Sequence, residues 1–335
     1  MADSTLNAIR IKVRRLTRSP SEAQITNAQI DEYINTFVQY DFPEHLRLFN
    51  LRETHTFYTT PYVDTYASNT ILTSPLEDFV QRYLTVHDPI FVDGYQVTLS
   101  QNRNEFFSWW PQNRFVQRVG TGDGVTLAFT GTLSQIPVLR NFVNFTSINN
   151  FNNGLVLKDI PFNSSFGNLV VPDQPDPGLL DPFNNINYVT GVFTLTFPSA
   201  PGQNQLIESR TLPFQPSRPT SVLFFDGEFI VRPVPDKVYP VQFEVYRRPT
   251  ELLAINQSPE LQEWWQYIAA SAAKKIFEDR SDYDSVEQIM PLVKEQEVLI
   301  LRRTIVQQTK ERTATIYTDS LQGVNASYNW GQGGF

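Results

Sequence analysis

The chain has 335 residues, about twice the usual single-domain length, so two or more packed units are expected. Hydrophobic residues make up 41%, aromatic residues 13% and charged residues only 19%, which excludes a disordered acidic or basic tail protein. A net charge of −8 excludes binding to nucleic acid through a general positive field, and Cys 0 removes disulfides, thiolate metal sites and cysteine nucleophiles.

Met1–Thr5 lacks an apolar core behind a basic start, and no stretch approaches the roughly 18 apolar residues of a membrane span, so neither a secretory leader nor a spanning helix is expected. Pro 23 exceeds Gly 15, and many prolines flank short aromatic and β-branched runs, as in a strand-and-loop protein.

Residues 1–20 hold Arg10, Lys12, Arg14, Arg15 and Arg18 against Asp3 alone. This local basic excess reads either as the solvated face of a first helix or as a phosphate- or partner-facing surface. Thr26-Asn27-Ala28-Gln29 has capping-box spacing and opens a helix with Ile30, Tyr33, Ile34, Phe37 and Val38 on one face, stopping near Asp41 before Pro43. From about 46 to 117 the pattern alternates with period two, as in His55–Thr59 and Tyr95–Leu99, and predicts strands. Pro75–Val80 allows a short helical turn. Phe106, Phe107, Trp109 and Trp110 form an aromatic cluster suited to a core or subunit anchor, with a sugar-stacking platform as the other reading.

Gly120–Gly124 opens a stretch crowded with Asn, Thr, Phe and Val. Runs at 125–129, 138–145, 155–158, 168–171, 186–189 and 192–197 predict an antiparallel β-sandwich over 118–212. Val222–Phe225 and Glu228–Val231 form a hairpin across Asp226-Gly227, and Tyr239–Tyr246 adds a strand. Ser258-Pro259-Glu260 reads as the start of a helix with Leu261, Trp265, Ile268, Ala272 and Ile276 in one stripe. A second helix is expected over 285–312, restarted or kinked at Pro291. Residues 313–335 are Gly-rich yet carry Tyr317, Tyr328, Trp330 and Phe335, which suits an arm that orders on a partner.

The expected fold class is α+β: a helical bundle from the N- and C-terminal regions with a β-rich middle that includes an inserted antiparallel β-sandwich. Its segments are 1–45 (helical), 46–117 (β-rich), 118–212 (sandwich), 213–250 (hairpin and strand), 251–312 (helical) and 313–335 (extended arm). No catalytic constellation emerges. His45, His55 and His87 lack metal-chelating spacing, G-x-S-x-G and P-loop motifs are missing, and Asp279–Asp284 lacks the Gly and Glu of a calcium loop. No enzyme activity, cofactor or metal is expected.

The order of elements resembles a head-to-tail adaptor, a head completion or connector protein, of tailed bacteriophages. The residues that carry the resemblance are Ile25–Asn35, Phe229–Asp236 with Tyr239 and Tyr246–Pro249, and Trp264–Ala270 with Ala272, Ala273 and Asp279–Asp282. Gly122–Thr126, Phe129–Leu133, Pro137–Leu139 and Ile186–Phe197 are similar to a β-sandwich module inserted into phage structural proteins. The resemblance implies a virion protein of the phage neck, assembled in the bacterial cytoplasm and away from membranes. It would form a ring of about twelve copies that joins the portal protein to a downstream tail or neck protein and lets double-stranded DNA pass. Ile30, Ile34, Phe37, Trp265, Ile268, Ala272 and Ile276 would pack the ring-wall helices, and Tyr317, Tyr328, Trp330 and Phe335 would dock the arm on the portal. Arg10, Lys12, Arg14, Arg15 and Arg18 would face DNA or make subunit salt bridges, and the inserted module would face a collar or fibre protein. Another tail, baseplate or fibre-attachment protein is the alternative.

Overall fold

A computed structural model describes residues 4–45, 51–67, 76, 79–175 and 177–302. The expected arm, with Tyr317, Tyr328, Trp330 and Phe335, lies outside the described residues. The chain divides into two compact units, one from residues 1–53, 82–84 and 246–335, the other from 54–81 and 85–245.

The first unit is built on short helices. Thr5 caps α1 (Leu6–Leu16) by accepting the Ala8 N–H, and Thr26 with Gln29 forms the expected capping box of α2 (Asn27–Thr36). The run does not stop before Pro43. It widens into one π-turn over Phe37–Asp41 and continues as α3 (Phe42–His45), so the residue lacking an N–H is accommodated where the helical ladder is already loosened. The C-terminal helix also starts later than Ser258-Pro259 suggests: a 3₁₀ turn, Gln262–Trp264, precedes α6 (Trp265–Asp279). Residues 283–302 are helical without a break at Pro291. Ile9, Ile30, Ile34, Ile268, Ala272 and Ile276 share one core, into which the small face of Ala269, Ala270, Ala272 and Ala273 admits close neighbours.

The second unit carries the sheets. A seven-stranded sheet runs in the order β1 (Arg52–Tyr58), β15 (Pro240–Arg247), β3 (Tyr83–Val92), β4 (Tyr95–Ser100), β13 (Ser221–Phe225), β14 (Glu228–Arg232), β2 (Thr65–Ala67), with β4 and β13 parallel. The Asp226-Gly227 turn has both φ values positive, as the expected hairpin requires. Phe229 and Phe243 from two strands meet Phe79 of the short helix α4 (Phe79–Arg82), and Phe57 of a third strand packs on Phe229, with ring centroids 5.1–5.8 Å apart in these pairs. The Phe106–Trp110 cluster sits on a helix, α5 (Arg103–Trp109), capped by Asn102, rather than within a strand.

Two parts of the expected fold class are corrected. The chain is not framed by a helical bundle, because two large sheets carry most of the structure. The inserted module is not two stacked sheets. Its eight strands form one antiparallel sheet in the order β5 (Phe115–Thr121), β12 (Leu206–Thr211), β7 (Asn144–Ile148), β8 (Gly154–Pro161), β9 (Phe166–Val170), β10 (Asn185–Asn187), β11 (Val192–Thr196), β6 (Ala128–Thr132). The edge strands β5 and β6 approach each other, so the sheet nearly closes and most of its inward residues, among them Phe145, Leu157, Phe193 and Ile207, fill the interior. Alternation along single strands looks the same in a sandwich and in a rolled sheet; only the pairing of β5 with β12 and of β6 with β11 separates them.

Candidate functional site

The basic residues of α1 divide into two groups. Arg10 forks onto both carboxylate oxygens of Asp31 in α2. Arg14 donates to the carbonyls of Ser19 and Ser21 at 3.2 Å, to that of Ile25 at 3.1 Å and to Asn27 Oδ1 at 2.7 Å, closing the connection between the two helices. These two arginines are fasteners. The side chains of Lys12, Arg15 and Arg18 make no hydrogen bond or ion pair among the described residues, and Arg15 and Arg18 are exposed beside exposed Ile11. They form the basic surface of this unit.

The residues expected to pack ring-wall helices come together inside the core of a single chain: Ile30, Ile34, Ile268, Ala272 and Ile276 are buried, Phe37 nearly so, and Trp265 packs against them. Polar fasteners on the same elements escape a sequence reading. Asn35 is buried on α2, donates to the Leu252 carbonyl at 3.0 Å and accepts the Leu252 N–H at 2.9 Å, a paired contact between residues 217 apart. Tyr33 donates to Asp279, and that bond, with burial, pushes its hydroxyl up to about 12. Replacing Asn35 by Ala should lower stability by about 2 kcal/mol, since both buried Leu252 groups lose their partner. Thermal and urea unfolding of the variant check this.

An open groove of about 790 Å³ lies between the π-turn, α6 and the 283–302 helix. Phe37, Tyr267 and Val293 contribute its apolar surface, while its charges are paired locally, Lys275 with Asp41 at 2.7 Å and Lys274 with Glu278 at 3.2 Å. A second concavity of about 620 Å³ in the other unit is lined by Trp110, Pro111, Leu139, Phe214, Pro216 and Pro233. Among the described residues no group of three His, Cys, Asp or Glu is placed to hold a metal ion, and no helix is long and apolar enough to cross a membrane.

The second unit holds two buried polar centres that the sequence reading did not single out. Asp159 of β8 accepts the N–H of Asn141 at 2.6 Å, the N–H of Val143 at 2.9 Å and the hydroxyl of Tyr188 at 2.9 Å. Burial raises the carboxyl above its ordinary range, outweighing these bonds, and burial together with the Asp159 charge raises the Tyr188 phenol. A Cβ at Gly167 would collide with the Tyr188 hydroxyl, so this position of β9 admits only glycine. Arg232 of β14 pairs with Asp64 at 2.7 Å.

No protein-family model matches the chain, and no curated protein matches it.

Proposed function

We propose that this chain is a structural protein of a tailed-bacteriophage particle, forming a ring in the neck that joins the portal to the tail and lets DNA pass. One observation carries the reading. Ile25–Asn35 and Trp264–Ala273, two of the distant segments on which the resemblance to head-to-tail adaptors rests, meet in one core that includes Ile30, Ile34, Ile268 and Ala272, with Trp264 packed against it. The chain leaves that unit after residue 53, touches it again at 82–84 and re-enters it at 246, with most of the sheet residues between. Exposed Arg15 and Arg18, with half-buried Lys12, supply a local basic face on an acidic chain, suited to subunit or backbone-phosphate contacts. In this reading the protein works through contacts rather than bond chemistry.

Native mass spectrometry of the purified chain mixed with the portal protein of the same virus tests it. The expected result is loading of about twelve copies onto each portal ring. A chain ended at residue 313 should stay folded and lose that loading. Failure to bind, with the full chain instead joining tail components, overturns the neck assignment.

A further inference from the structure

The near-barrel has two unlike ends. Phe115, where the chain enters, pairs with Thr211, where it leaves, so entry and exit share one end. The antiparallel order sends the connections 122–127, 149–153, 171–184 and 197–205 to the other. This far end carries Phe151, Val125, Leu179 and Phe183, which are 85%, 81%, 75% and 69% exposed. Phe151 and Val125 are the two most exposed large hydrophobic side chains among the described residues. Four large apolar side chains presented at one end of a rolled sheet point to an interaction site.

These loops are pre-set. Asp123 Oδ1 accepts the Val125 N–H at 2.9 Å, Asn149 Oδ1 the Phe151 N–H at 2.9 Å, and Asp181 Oδ1 the Phe183 N–H at 2.8 Å. The same device thus occurs three times: an Asx side chain turns the backbone two residues ahead of an apolar side chain held out to solvent. Three of the four connections, 122–127, 149–153 and 197–205, are also fastened to one another. Gly124 N–H donates to the Pro201 carbonyl at 3.0 Å, Gly202 N–H to Ile148 at 2.8 Å and Gln203 N–H to Asn150 Oδ1 at 3.1 Å. Ordering cost is therefore met before any partner arrives.

Charge and hydrogen bonding narrow the partner. The described ionisable residues in these connections are Asp123, Asp173 and Asp181, with no Lys, Arg or His among them. The side-chain oxygens of Asp123, Asn149, Asn150 and Asp181 already accept hydrogen bonds within the loops. Exposed apolar side chains beside aspartates, with no cation among them, favour an apolar and basic partner.

We propose that this end of the barrel is a docking surface for a protein partner that presents apolar pockets rimmed by Lys and Arg. Val125, Phe151 and Phe183 are the anchors, and the aspartates set the charge of the rim. The inference does not rest on the neck reading: the portal mixture tests one and the following experiment the other.

The test pans a displayed library of random 12-residue peptides against the full chain, with a Val125→Ser, Phe151→Ser, Phe183→Ser triple variant as counter-target. Enriched peptides should be basic and carry two or more apolar residues, lose at least about tenfold in affinity for the variant, and weaken as salt rises. Asp173→Asn should reduce that salt dependence. Circular dichroism checks the fold of the triple variant; should it fail, Phe151→Ser alone, at an open loop position, must still weaken binding severalfold. No enrichment, neutral or acidic peptides, or peptides that bind the variant equally well overturn the proposal. Self-association of the chain through these residues in sedimentation would assign the surface to a second copy and overturn it as well.

Discussion

Replacing Asp159 by Ala is expected to destabilise the near-barrel by about 3–5 kcal/mol. The carboxylate gathers the backbone N–H groups of Asn141 and Val143, from the connection between β6 and β7, and the hydroxyl of Tyr188, from the turn between β10 and β11. Its removal strands two buried donors, the Val143 N–H and the Tyr188 hydroxyl, each worth about 1–3 kcal/mol, and frees the N–H of the exposed Asn141 to water. Hydrogen exchange read by mass spectrometry should show faster exchange over 141–145 and 157–161, while the helical unit keeps its protection. Unchanged exchange there would refute the role given to Asp159.

The same group ties stability to pH. Because burial sets its folded pKa above the unfolded value of 3.8, the native state holds the proton more tightly. The contribution is then fully present below pH 3.8 and is lost as pH rises through the folded pKa. Asp159→Asn, which cannot titrate, provides the reference. The stability of the wild type relative to this variant should fall as pH rises from about 3.8 upward, in matched thermal melts. A difference that grows with pH would mean that the three donated bonds, not burial, govern the carboxyl.

Local rules in the sequence located much of this molecule. The Thr26–Gln29 capping box, the Asp226-Gly227 hairpin and the aliphatic stripe through Ile268, Ala272 and Ile276 each follow from a few neighbouring residues, and each is found in place. What failed were statements that depend on distant partners. A sandwich and a rolled sheet share the same alternation, so the near-barrel needed the β5–β12 pairing to be seen. Pro43 stood as a stop because the i→i−4 ladder forbids it, and a π-turn removed the conflict. The surface proposed for docking was partly legible: Asp123-x-Val125, Asn149-x-Phe151 and Asp181-x-Phe183 share one spacing. Only the strand directions show that the three occupy one end. Asn35 and Asp159 are invisible to patterning, since single polar residues declare nothing until burial and partners are known.

Asp64→Ala should cost a further stretch of the fold about 3–5 kcal/mol, through the charge it leaves behind rather than the bond it removes. Arg232 and Asp64 are 9% and 7% exposed, and the guanidinium also donates to the Val231 carbonyl at 3.1 Å while the Val231 N–H donates to the Asp64 carbonyl at 2.9 Å. Side chain and main chain therefore pin the end of β14 to the segment before β2. Without the carboxylate the buried guanidinium has no counter-charge, and the strand must open to hydrate it. The double variant Asp64→Ala, Arg232→Met removes both charges and should recover a large part of the loss, so the two substitutions should be strongly non-additive in urea unfolding. Additive losses would show that the pair is incidental. The buried pairing thus gives Arg232 a structural role inside the sheet.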